Sequence, residues 1–273
     1  MTSQQFKCEA FVALHKRPGA FLIPNPWDLG SAKVLQGLGY QALATTSAGL
    51  AYTLGRADGE VTLDEILHHC SALAAHIRIP INADFENGFA DDPDAVAGNV
   101  LLAAGTGIAG CSIEDLNAER RKIYDFTLSV ERIAAAVEAV ATLDMPFMLT
   151  ARAENLLHGV DDIEDTIRRL QAFEQAGANV LYAPGITSLD QLRQVTAELH
   201  TPFNVLAPLI RGASVDDFAT AGAKRVSIGG ALNWAAVNPV LTAAQEMLEH
   251  GTFNWTAGMA RAAQVNKLLN PAT

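Results

Sequence analysis

Acidic residues cluster where three apolar runs of this chain stop: Asn82-Ala83-Asp84-Phe85-Glu86-Asn87-Gly88, Glu114-Asp115 and Arg152-Ala153-Glu154-Asn155. Carboxylates held side by side repel unless a cation stands between them, and oxygen ligands without His or Cys favour Mg²⁺, or else Mn²⁺, over Zn²⁺. Asp84 and Glu114 end their apolar runs and read as metal ligands or acid/base groups. Glu86 fits either a further metal ligand or the cap of a following helix, and Asp91, Asp92 and Asp94 read as helix caps. Arg152 is the cation best placed for a substrate carboxylate, because guanidinium can grip a carboxylate through two parallel bonds. The run Thr45-Thr46-Ser47-Ala48-Gly49 offers hydroxyls and backbone amides to a carboxylate or phosphate oxygen. Arg56 and Asp58 lie in the Gly-flanked loop LGRADGE, which either moves as a lid or simply turns the chain.

These groups need elements to position them. Eight apolar runs of strand length, at residues 20–24, 41–46, 79–84, 107–114, 146–152, 179–183, 203–206 and 225–229, alternate with stretches of helical period. GLGY, AAGTG, EQAGA and TAGA precede four of them and read as helix stops, since glycine tolerates the left-handed backbone that ends a helix. Strand and helix in alternation mean a parallel sheet. Eight such units, each about thirty residues, predict a closed (β/α)8 TIM barrel, with functional groups at the C-terminal strand ends. NPWDLGSA, after the first run, lacks the GxGxxG of a dinucleotide fold. No linker divides residues 1–273, so one domain is expected. In the tail from about 252, Phe253, Trp255, Met259, Leu268 and Leu269 predict packing, with a neighbouring subunit as the first candidate.

The 273 residues are 49% hydrophobic and 18% charged, enough to bury a large core. A formal charge of −11 repels phosphate backbones and anionic membranes, so neither nucleic acid nor membrane is an expected partner. Cys8, Cys70 and Cys111 are odd in number and far apart, which suits a reducing cytoplasm rather than a disulfide framework. The N-terminal stretch is too polar for a signal peptide, and no run approaches a membrane helix.

Taken together, NPWDLGSAKVLQGLGYQALATTSAGLA, ADFENGFA, GCSIEDL, LTARAE, QAGANVLYAPGIT and PFNVL resemble, in order and spacing, the isocitrate lyase and phosphoenolpyruvate mutase superfamily. The resemblance runs from about residue 24 to 230. It implies a (β/α)8 barrel that exchanges its last helix with a partner, as a homodimer or homotetramer, and Mg²⁺ chemistry on small 2-oxo or 2-hydroxy carboxylates. By position, Thr46, Ser47 and Ala48 match a carboxylate-binding loop and Asp58 an acidic residue near the reacting centre. Asp84 and Glu114 match carboxylates around Mg²⁺, joined by Glu86, while Arg152 matches a substrate arginine and Asn204 a polar pocket residue. The implied chemistry is an enolate generated by breaking a bond beside the oxo or hydroxy carbon. This step serves a carbon–carbon lyase of the methylisocitrate type, an oxaloacetate decarboxylase-like enzyme or a P–C bond enzyme.

Departures bear on the substrate. Isocitrate and methylisocitrate lyases carry a Lys-Lys/Arg-Cys-Gly-His loop after the fourth strand, whose cysteine serves as acid; the corresponding LNAERRKIYDF leaves Tyr124, Glu119 or Lys122 as replacements. Asn82 stands where the family's metal motif begins with Asp, and Pro184-Gly185 where methylisocitrate lyases have glutamate after the sixth strand. His158 is the histidine best located for acid/base work. His68, His69 and His76 read as one helix face, Cys111 as core and Trp27 as packing under the first loop. Ser227-Ile228-Gly229-Gly230 is either a phosphate-binding turn or a tight turn into the last helix. A protein that holds a 2-oxo acid without turning it over is the alternative from another class.

Overall fold

The computed structural model describes residues 3–117 and 122–270. All eight expected strands form, most of them shortened: β1 (Phe21–Ile23), β2 (Leu43–Ala44), β3 (Ile81–Asp84), β4 (Gly110–Glu114), β5 (Met148–Arg152), β6 (Val180–Tyr182), β7 (Phe203–Leu206) and β8 (Arg225–Ser227). Neighbours in sequence pair in parallel from β2 round to β8, and β8 pairs with β1, with Phe21 beside Arg225 and Ile23 beside Ser227. This is the predicted (β/α)8 barrel. Between β1 and β2 the closure is made at the strand ends, where the Ala44 N–H donates to the Pro24 carbonyl at 3.1 Å. Asn25 completes it by donating Nδ2 to the Thr45 carbonyl at 2.9 Å. A short antiparallel ribbon, Leu116–Asn117 with Lys122–Ile123, follows β4 and was not expected.

Helices lie on the outside because their apolar residues recur every third or fourth position. In the helix Ile163–Gln175 that stripe is Thr166, Ile167, Leu170 and Phe173. Gly39, Gly107, Gly177 and Gly222, in the four predicted stops, have φ of 98°, 97°, 99° and 93°, values that other residues rarely adopt. Asp92 caps the helix Pro93–Gly105, as expected. Asp91 does not cap; it accepts hydrogen bonds from Tyr124 and Asn117 instead.

One end of the barrel is plugged and the other open. Cys8, Phe11 and Leu14 of the helix Ser3–Lys16 pack against Ile23, Ala42, Ala109, Met148 and Val180 at the N-terminal end. At the far end of the chain, the helix Ala262–Leu269 returns to the helix Leu29–Gly37 of the same barrel. Gly37 there comes so near that a Cβ would stand 2.4 Å from the Leu268 carbonyl oxygen. The expected packing of the tail is thus made, in the single chain, on the barrel's own helix. The long helix Ala231–His250 buries only Asn233 and exposes Trp234, Val240, Leu241 and Leu248. Among the described residues no helix is long and apolar enough to cross a membrane. The three cysteines are buried and unbridged.

Candidate active site

A cavity of about 500 Å³ opens at the C-terminal ends of the strands. All nine residues singled out from sequence, Thr46, Ser47, Ala48, Asp58, Asp84, Glu86, Glu114, Arg152 and Asn204, line it. β3, β4 and β5 lie side by side, with Glu114 of β4 in register with Arg152 of β5. Arg152 consequently sits among acids. Its Nη1 is 2.7 Å from Asp84 Oδ1 and 2.9 Å from Glu114 Oε1, while Nε donates to Glu154 Oε1 at 2.7 Å. The guanidinium also lies 5.0 Å from the centre of the Tyr182 ring.

The electrostatics follow from burial. Desolvation raises the Glu114 carboxyl well above its ordinary range and raises that of Glu154, with Arg152 opposing both. Burial alone would lower Arg152, but Glu114, Glu154 and Asp84 outweigh it and hold the guanidinium charged. Glu86 is pushed up to about 8 by desolvation, then by Asp84 and Asp58. Its backbone is left-handed, with φ of 45°, an uncommon state for glutamate that places the side chain in the cavity lining. Asp58 stands on the exposed loop at the mouth, where partial desolvation and then the Asp84 charge raise it.

The hydroxyl loop is partly committed before any substrate arrives. Thr46 caps the helix Ser47–Thr53 by accepting from the Gly49 N–H, and the Ser47 N–H donates to Asp84 Oδ2 at 2.9 Å. The Ser47 hydroxyl meets the Asp58 carboxylate, and the first-turn N–H of Ala48 is a donor left to offer. Trp27 packs here: a Cβ on Gly49 would lie 2.6 Å from Trp27 Cβ. At the other wall the Ile228 and Gly229 N–H groups both donate to Asn25 Oδ1 at 3.0 Å. The Ser227–Gly230 stretch is therefore a turn locked to β1, and these two amides are not open to a phosphate.

A hard divalent cation suits this donor set. Asp84 and Glu114 converge on one nitrogen, the position a cation would take, and the buried Asn82 Oδ1 beside them has no hydrogen-bond partner. No three Asp, Glu, His or Cys side chains form a ready cage among the described residues. Mg²⁺ needs none, because it commonly binds one or two carboxylates and keeps its waters.

Some candidates fall outside the cavity. Tyr124 is buried against Asp91 with its ring under Arg132, 4.2 Å away, so it does not replace the missing acid. Lys122 belongs to the ribbon and is exposed, and Glu119 lies outside the described residues. His69 packs in the helix Leu63–His76, and Cys111 is core. Sequence reasoning missed Asn25, Tyr182 and Arg225 and left Glu154 without a role. Arg225 is 3% exposed and donates Nε to Asn204 Oδ1 at 2.8 Å and Nη2 to Thr150 Oγ1 at 3.2 Å. Burial lowers it to about 9. The alternation Arg225, Ser227 on one strand face was its only signal.

Comparison with known proteins agrees with this geometry. The family model described as phosphoenolpyruvate phosphomutase matches residues 11–248. A crystal structure of a lyase/mutase candidate from Burkholderia cenocepacia J2315 shares 49% identity, covers 98% of this chain and 97% of its own, and superposes with a TM-score of 0.94. An uncharacterised protein of Mycobacterium tuberculosis is 31% identical over 81% of each chain. The 2-methylisocitrate lyase of Escherichia coli is 30% identical over 78% of this chain and 73% of its own.

Proposed function

The chain belongs to the isocitrate lyase and phosphoenolpyruvate mutase superfamily, and on that footing we propose that it is a divalent-metal-dependent carbon–carbon lyase. Its substrate in this reading is a small 2-oxo or 2-hydroxy di- or tricarboxylate, cleaved through an enolate. The observation that carries the reading is the meeting of Asp84 and Glu114 on Arg152 Nη1 at the floor of the mouth. A metal ion held by those carboxylates would stand within one contact of an anion-binding guanidinium in a protein that is otherwise strongly acidic.

Asp84 and Glu114, with Glu86 and the oxygen of Asn82, would hold Mg²⁺ and its waters. When bound, the ion supplies a Lewis acid that lowers the energy of the enolate. The remaining steps belong to the chain. The Ala48 N–H, joined by the Ser47 hydroxyl once it turns from Asp58, binds one substrate carboxylate, and Arg152 orients the oxo or hydroxy end. Asp58, whose carboxyl is raised by desolvation and then by the Asp84 charge, takes the hydroxyl proton as cleavage begins. Asn204 presents a fixed amide, since Arg225 holds its Oδ1 and Ser227 accepts from its Nδ2 at 2.9 Å.

Incubating the protein and Mg²⁺ with oxaloacetate, 2-methylisocitrate, isocitrate, dimethylmalate, citramalate and phosphonopyruvate, and following products by NMR, tests this. Carbon–carbon cleavage of at least one is expected. Binding of 2-oxo acids with no product from any would leave a binding protein and sink the lyase. The family-model description favours a second reading, P–C bond chemistry. The amides committed to Asn25 weigh against it, and turnover of phosphonopyruvate alone would establish it.

A further inference from the structure

We propose that His158 is the proton donor to the carbon released by cleavage, and that Glu154 is the positioning residue that aims its imidazole and balances its charge. This rests on the lyase reading above. An enolate left by a broken carbon–carbon bond must be protonated, and Tyr124 is turned away from the cavity. Asp84, Glu86 and Glu114 are the carboxylates gathered for a cation, Asp58 is the base, and burial pushes the Tyr182 phenol up. His158 lines the same cavity with its side chain 28% exposed, so it touches both the site and water. Imidazole donates and accepts protons near neutrality.

The geometry joins it to the reacting centre. His158 Nε2 is 3.7 Å from Glu154 Oε2, and the other Glu154 oxygen accepts from Arg152 Nε at 2.7 Å. Contacts therefore run unbroken from Asp84 and Glu114 through Arg152 and Glu154 to the imidazole. Arg152, Asp115, Asp84 and Glu114 are charged groups that face Glu154, besides His158 itself.

The turn that carries the pair is built, not incidental. The Glu154 N–H donates to Asp115 Oδ1 at 2.8 Å, and Asp115 is held by Arg169 at 3.0 Å. Asn155, 1% exposed, donates to Thr166 Oγ1 at 2.7 Å and to the Asp162 carbonyl at 3.0 Å. The His158 N–H then closes back on the Glu154 carbonyl at 3.1 Å. Gly185, after β6, lets this turn dock: with φ of 99°, a Cβ there would lie 2.5 Å from the Leu157 nitrogen and 2.7 Å from the Leu156 carbonyl carbon. A side chain at 185 would push the turn, and the imidazole with it, away from the mouth.

The step balances without a further reactant. With a 2-hydroxy acid, the hydroxyl proton passes to Asp58 as that carbon becomes an oxo group, and the electron pair of the broken carbon–carbon bond stays with the other, carboxylate fragment as its enolate. With a 2-oxo acid that loses CO₂, the pair stays with the 2-oxo acid as its enolate. A new C–H bond forms as the imidazolium N–H breaks, and the neutral ring regains a proton from solvent; where Asp58 has taken the hydroxyl proton, it releases it to solvent. In reverse, neutral His158 removes a proton from the carbon that carried the enolate.

That reversal gives a test that needs no known substrate. The full-length, Mg²⁺-loaded protein is held in D₂O with pyruvate, 2-oxobutyrate or, as the fragment left by a 2-hydroxy acid, succinate. Exchange of the protons next to the oxo group or carboxylate is followed by NMR, while oxalate binding is measured by calorimetry. The wild type is expected to bind oxalate and catalyse exchange. His158→Asn should bind oxalate as the wild type does and lose exchange by about 10²-fold or more. His158→Ala should regain exchange when free imidazole is added, which a structural role would not allow. Glu154→Gln keeps the oxygen that meets Arg152 Nε and should lower the exchange rate with a displaced pH profile. Exchange at the wild-type rate in His158→Asn overturns the proposal. A wild type that binds oxalate without exchange overturns it while sparing the anion site, and one that does neither removes the lyase reading as well.

Discussion

Arg152 is the residue on which the acid cluster depends. Removing it leaves Asp84, Glu114 and Glu154 without their counter-charge, and the last two are deeply buried. Stripping one partner from a buried ion pair costs about 3–5 kcal/mol, so Arg152→Ala is expected to lose both turnover and stability, measured by product NMR and urea unfolding. Sequence alone would suggest loss of activity in an intact fold. Glu86 gives a pH signature. Its folded-state value, about 8, stands above the unfolded value of 4.5, so the folded protein binds the proton more tightly. That contribution is complete below about pH 4.5 and is lost as pH climbs through 8. The metal-free protein should melt at progressively lower temperature across that window through this group, and Mg²⁺ should raise the melting temperature most at its alkaline end. A Glu86→Gln variant should flatten the slope. Asp84, Glu114 and Arg152 were legible because each ends a strand; Arg225 was not, because a charge inside a barrel is recognisable only once the opposite wall is in place.

At the scale of elements, the loops do the positioning. Asn25 joins β1 to the turn after β8 and to the start of the loop after β2, satisfying two N–H groups and one carbonyl. Asn25→Ala orphans all three where β1 and β2 lack a ladder, and a loss of about 3 kcal/mol in urea unfolding is expected. Gly185→Ala should cost about 2 kcal/mol or more from the left-handed backbone alone and should also slow 2-oxo acid exchange, because the turn bearing Glu154 and His158 is displaced. If that variant exchanges normally, the close approach at Leu157 has no catalytic consequence. The strands and their stops were readable from period and glycine placement, since both are local properties. The ribbon after β4 and the roles of Asn25 and Gly185 were not, since each depends on a neighbour distant in the chain.

For the whole molecule, apolar side chains stand uncovered on β1 and on the helix Ala231–His250: Leu22 is 38% exposed, and Val240, Leu241 and Leu248 are 62%, 56% and 88% exposed. Apolar surface of that extent on one helix suits an exchange between subunits, and we expect a dimer or larger assembly in solution. Light scattering should return a multiple of 29.0 kDa, and Leu241→Glu with Leu248→Glu should shift it toward the single chain. The charge of −11 is compatible with an anionic substrate because the mouth holds Arg152 and, in the proposed reading, a metal ion, against a background of solvated acids. Hydrophobic period repeated over eight units and glycine stops before four of the strands determine the barrel, and acids at three strand ends mark the candidate site, since those signals are local. Tertiary structure alone decides that Arg152 is shared by three acids, that the amides after β8 serve Asn25 rather than a phosphate, and that the turn carrying Glu154 and His158 docks against Gly185. Each of those depends on a distance between parallel strands or on the docking of one turn against another, and no spacing along the chain encodes it.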